Sequence, residues 1–121
     1  MRLIITFCFL SILCISCKPK NLPTVSDIHE DYAEVKFSHM TTEAEMADIK
    51  TKLKQISNIN FTYENSTFLE DGHLQTLKIG AEMPDGNRGS TSTDLMSLQF
   101  KYYGFEYNPT GNPSFSIGVR E

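Results

Sequence analysis

The chain is 121 residues long, 40% hydrophobic and 21% charged, with a formal net charge of −4. That is enough for one domain with a single core, and the composition is that of a globular protein rather than a disordered one. Outside the Lys50–Lys54 stretch the basic residues do not cluster, so no surface suits a nucleic-acid backbone and nucleic acid is not expected as a partner.

Met1-Arg2 opens the chain with a positive charge, and Leu3 to Ile15 is a run of thirteen residues in which Thr6 and Ser11 are the polar interruptions. As a helix this run would span about 20 Å, short of the ~30 Å hydrocarbon core. It reads as the apolar part of a signal peptide. The run ends in Cys14-Ile15-Ser16-Cys17. This resembles the lipobox of bacterial lipoproteins, with Ser16 and Cys17 in place and Cys14 standing where that motif usually has Leu. The resemblance implies a signal peptide over residues 1–16 and a Cys17 that carries fatty acyl chains such as palmitate. No cysteine follows Cys17, so it has no disulfide partner in the mature chain, and a lipid accounts for it. Several acyl chains on one residue make a stable anchor where one is marginal. Lys18, where Asp would signal inner-membrane retention in Gram-negative lipoproteins, points by the same resemblance to the outer membrane. The expected address is the cell envelope, with the membrane itself as one partner.

Residues 17–30 are polar, contain Pro19 and Pro23, and show no periodicity. They read as a tether, with the folded domain over 31–121. Tyr32 to Phe37 alternates, with Ala33, Val35 and Phe37 on one face, as a strand does. Thr42-Glu43-Ala44-Glu45 is a capping box, and Met46, Ile49, Leu53 and Ile56 then recur along one face of a helix over 42–56. Acidic residues fall in its first turn and lysines in its last, as the helix dipole prefers.

The period then changes to two. Ile59, Phe61 and Tyr63 form one strand face, and Leu77, Ile79, Ala81 and Met83 another. Glu70-Asp71-Gly72-His73 and Pro84-Asp85-Gly86-Asn87 supply turns. Gly89 to Asp94 is small and polar. It reads as an edge strand paired with the one before it, a loop being the alternative. Leu98, Phe100 and Tyr102 alternate as another strand, Gly104 to Gly111 is punctuated by Asn108-Pro109 and Gly111, and Phe115, Ile117 and Val119 mark a terminal strand. These elements predict an α+β fold: one two-layer domain with an amphipathic helix packed on a mainly antiparallel sheet of about four strands, in the order β-α-β-β-β.

Val35-Lys36-Phe37, Thr41 to Glu45, Ile59 to Asn65, Leu77-Lys78-Ile79 and Asp85 to Ser90, taken in that order, look like one pattern. Over residues 33–120 the chain resembles a periplasmic domain at the C-terminus of membrane zinc metallopeptidases of the beta-lactam-sensor type, and small lipoproteins that carry this domain alone. The resemblance implies an envelope location and brings no established activity with it. The peptidase chemistry does not carry over, because the chain has no His-Glu-x-x-His.

No catalytic residue emerges. His29, His39 and His73 lack ligand spacing, Asp85-Gly86-Asn87 lacks the later ligands of a calcium loop, and there is no nucleophile elbow or phosphate loop. No metal or cofactor is expected. Two surfaces remain as candidates for binding an envelope protein or glycan. One is Ser90, Thr91, Ser92 and Thr93, whose backbone can accept a partner strand if it forms an edge, with Thr91 taken as a position that offers its N–H. The other is the aromatic group of Tyr103, Phe105 and Tyr107, a platform if exposed; its structural alternative is a strand with Tyr102 inside and Tyr103 outside. The function expected is a lipid-anchored interaction or sensory module without catalysis of its own. The alternative is an envelope enzyme with a scattered active site.

Overall fold

The computed structural model describes residues 21–95 and 101–120. The leader, Cys17 and the apolar positions Leu98 and Phe100 lie outside them. The elements run β1 Val25–His29, β2 Tyr32–Phe37, α1 Glu43–Lys52 with a π-helical turn over Leu53–Ser57, β3 Asn60–Thr62, β4 Thr67–Phe68, β5 Leu74–Glu82, β6 Arg88–Asp94, β7 Tyr102–Tyr107 and β8 Phe115–Arg120. The fold is α+β. Its strands, however, make two antiparallel sheets where one of about four strands was expected. Sheet one has the order β1-β2-β7-β8; in sheet two β5 is central, with β3 and β4 sharing one flank and β6 on the other.

The stretch read as a tether supplies one of these strands. β1 pairs with β2 from Val25↔Lys36 to His29↔Tyr32. Its one well-placed apolar core contact is Ile28, because an edge strand packs little, and so it carries almost no alternation to read. The chain is captured even earlier. Leu22 is buried, its carbonyl accepts from Ser38 Oγ, and the Pro23 carbonyl accepts from the Tyr102 hydroxyl at 2.6 Å.

The helix starts as its sequence dictates. The Thr42 hydroxyl accepts from the Glu45 N–H at 3.2 Å, and the Glu45 carboxylate accepts from the Thr42 N–H at 2.9 Å, which satisfies two of the otherwise unpaired donors of the first turn. Asp48 and Lys52 pair at 2.9 Å on the exposed face. Met46, Ile49 and Leu53 are buried as expected, but Ile56 is 44% exposed and Ser57 takes the inward place. The π-helical turn causes this. Its i→i+5 spacing widens the last turn, so the residue that returns to the inner face lies one position later than the α period puts it. Ser57 Oγ donates to the His29 carbonyl, and Asn58, at φ 55°, ends the helix in the left-handed conformation that Asn tolerates.

The π turn lies against β1, β2 and β3, closing one side between the sheets, while β6 and β8 meet on the other. Between the sheets Phe61 is the hub of the aromatic packing, with ring centroids 5.7 Å from Phe37, 6.1 Å from Tyr63 and 6.0 Å from Phe105. Such offset pairs add to the burial of their area. The inner faces of β2 and β5 hold the apolar residues assigned to them, Ala33, Val35 and Phe37, and Leu77, Ile79 and Ala81, with Met83 buried just past the end of β5. Both assigned turns form, with Gly72 at φ +88° and Gly86 at φ +94°. β7 begins at Tyr102 and runs through Gly104 to Tyr107; why a strand needs glycine there is a matter of sheet spacing.

Candidate functional site

The aromatic platform does not exist as a surface. Tyr103, Phe105 and Tyr107 are all buried on the inner face of β7, opposite Phe37, Val35 and Ala33 of β2. Tyr102 is the one turned outward, with Lys36 Nζ 5.7 Å from its ring centroid, so both sequence readings of this cluster are corrected. The Leu98-Phe100-Tyr102 alternation suggested the opposite phase, whereas the strand sets its phase from Tyr103.

The polar run does form a strand. β6 pairs with β5 from Glu82↔Arg88 to Thr76↔Asp94, and among the described residues no other strand is hydrogen-bonded to it. Which backbone groups it leaves free follows from the ladder. Met83 N–H donates to the Asn87 carbonyl at 2.7 Å, and Leu95 N–H to the Gln75 carbonyl at 3.0 Å. Hydrogen-bonded pairs alternate along an antiparallel ladder, so Gly89, Thr91 and Thr93 exchange bonds with β5, and Ser90 and Ser92 direct theirs outward. Lys78 agrees with this phase. Its N–H donates to Ser66 Oγ at 2.8 Å and its carbonyl accepts from the same hydroxyl at 3.1 Å, both on the side away from β6. The edge therefore belongs to Ser90 and Ser92. Thr91, expected to offer its N–H to a partner, spends it inside the sheet.

Side chains follow the same parity. Arg88, Ser90, Ser92 and Asp94 stand exposed on the outer face, and Gly89, Thr91 and Thr93 are half-buried on the inner one. Glycine at position 89 lets β8 approach from beneath, since a Cβ there would meet the Ile117 and Phe115 side chains at 3.0 Å. The outer face of sheet two is a polar trough. One hollow of about 390 Å³ lies over Asn60, Thr62, Gly80, Glu82, Arg88 and Ser90; another of about 320 Å³ lies over Asn65, Thr76, Lys78, Ser92 and Asp94. Gly80, between Thr62 and Ser90 in the register, forms its floor.

Elsewhere the polar clusters are structural ties. Arg120 reaches Glu34 at 3.3 Å and Glu106 at 3.6 Å across the outer face of sheet one. Tyr32 donates to Glu106 at 3.1 Å. Burial first, and then this bond to a carboxylate, push its hydroxyl up to about 12. His39 and His73, distant in sequence, come close enough to interact: burial and then the His73 charge lower His39 below its ordinary value. Among the described residues no three His, Cys, Asp or Glu side chains are placed to hold a metal ion, and no helix is long and apolar enough to cross a membrane.

Fold and surface together define a small α+β domain of two antiparallel sheets with a polar trough and a long open edge. Comparisons with protein-family models, with curated proteins and with solved structures found no match.

Proposed function

We propose that this protein is a lipid-anchored module of the cell envelope, without catalysis of its own, that recruits a protein partner by strand addition to the free edge of β6. The observation that carries the reading is the seven-residue length of that edge with the outward backbone groups of Ser90 and Ser92 unmatched by another described strand. A strand added there gains main-chain hydrogen bonds for affinity, while the trough beside it supplies side-chain selectivity. Cys17 and the apolar run before it support the anchor, and Lys18 supports an outer-membrane address.

Two substitutions test the edge. Ser92→Pro removes only an outward donor, so the protein is expected to keep its circular dichroism and melting profile but lose crosslinked adducts in envelopes. Thr91→Pro removes a ladder bond to β5 and is expected to cost about 1–3 kcal/mol of stability. Adducts at wild-type levels in Ser92→Pro would move the binding surface away from β6.

The anchor is tested separately. Cys17→Ser is expected to abolish fatty-acid labelling and detergent-phase partitioning of the mature form. Labelling that persists in this variant would show the lipobox reading to be wrong.

A further inference from the structure

We propose that the β6 edge pairs antiparallel with the β6 edge of a second copy of this chain, about a two-fold axis through Thr91. This rests on the reading of that edge as a docking strand, and it names the partner. The strand is Arg88-Gly89-Ser90-Thr91-Ser92-Thr93-Asp94, which is complementary to its own reverse. With Thr91 facing Thr91 of the second copy, the outward-directed residues fall opposite one another. Ser90 exchanges both main-chain bonds with Ser92 of the second copy, and Arg88 stands directly opposite Asp94. The Thr91 pair is then a non-hydrogen-bonded pair, which is the phase that the free edge requires.

Charge selects this arrangement over its neighbours. In this register each end of the interface places Arg88 of one copy against Asp94 of the other, and opposite charges directly across a ladder are favourable. A shift of two residues in either direction removes both pairings. Parallel pairing would set Arg88 beside Arg88. Arg88 is available for this role, since its side chain is 79% exposed and its contact with Glu82 is 3.6 Å long.

The edge also lacks the devices that keep edge strands apart. Over residues 89–93 there is no Lys, no Pro and no inward-pointing charge, although an unprotected edge of this length is open to pairing with another chain. β8 does not fill the position, because it packs beneath Gly89 through Ile117 and Phe115 rather than alongside. Ser and Thr on both faces suit cross-strand hydroxyl contacts and make a surface that stays wet when the copies separate.

The test uses the full chain in the membranes of cells that express it. A non-hydrogen-bonded antiparallel pair places Cα atoms about 4.5 Å apart, within disulfide range. Thr91→Cys under mild oxidation is expected to give a band at twice the monomer mass, well above the wild-type background from the native cysteines. Lys78→Cys, on the outer face of β5, is expected to stay at that background. Adding Arg88→Asp or Asp94→Arg singly should deplete the Thr91→Cys band, and adding both should restore it. A band indifferent to these reversals overturns the register and with it the proposal. Thr91→Cys adducts with other polypeptides instead of itself overturn self-pairing while leaving β6 a docking strand. Absence of any adduct, with Ser92→Pro equally without effect, overturns both.

Discussion

Gly104→Ala is expected to leave the domain without a cooperative thermal transition. A Cβ at this position would stand 1.9 Å from the Val35 carbonyl oxygen and 3.1 Å from the Lys36 Cα. Both are backbone atoms of the neighbouring strand β2, in register with Gly104 through Lys36. No rotamer change relieves such a contact, so the two strands must separate. That would open the ladder above Val35 and Phe105, both fully buried. The cost is expected to exceed about 4 kcal/mol, a magnitude that single substitutions seldom reach, against a total stability of about 5–15 kcal/mol. Gly72→Ala is the informative contrast. Gly72 has φ +88° with nothing within 4 Å of an added Cβ, so only the left-handed backbone is penalised, by about 1–2 kcal/mol. Urea titration of the two variants should separate steric from conformational dependence on glycine, and equal midpoints would contradict the close approach of β2 and β7.

Gly104 also shows where the sequence stops being legible. A glycine amid Tyr, Phe and Asn residues does not announce a strand interior, because its local preference is for turns. Inside β7 its role is set by β2, far earlier in the chain at Val35 and Lys36, and nothing near Gly104 announces that neighbour. β1 is hidden for a related reason. Its side chains alternate weakly because one flank of the strand is open, so its existence depends on β2 rather than on its own pattern. The features that were legible are local ones: the Thr42–Glu45 box, the Gly72 and Gly86 turns, and the inner faces of β2 and β5. The candidate site divides along the same line. That Ser90 to Asp94 makes a strand at an edge could be read from its position after a clear turn. Which of its residues face outward could not, since that phase is fixed by the Met83–Asn87 and Leu95–Gln75 bonds. The phase of Tyr103, Phe105 and Tyr107 is likewise set across the sheet, by Phe37, Val35 and Ala33.

The helix carries the same distinction into a measurable form. Leu53 is fully buried where α1 passes into the π-helical turn, so Leu53→Ala removes packed methyl groups and leaves a cavity. A loss of about 2–5 kcal/mol is expected. Three residues on, a continuous α-helix would give Ile56 the same inward place and a comparable loss. In the π-helical turn Ile56 is 44% exposed, and Ile56→Ala is expected to cost about 1 kcal/mol, because nearly half of the residue already touches water. Ser57 replaces it on the inner face, with its hydroxyl donating to the His29 carbonyl. Ser57→Ala therefore leaves that acceptor of β1 without its donor and is expected to cost about 1–3 kcal/mol. Lys52→Ala, on the solvent side, stays within about 0.5 kcal/mol. The order Leu53, Ser57, Ile56, Lys52 in chemical-denaturation midpoints is the signature of the widened turn. An Ile56→Ala loss that matches Leu53→Ala would mean that the helix keeps its α period to the end, and that β1 is held to it by something other than Ser57.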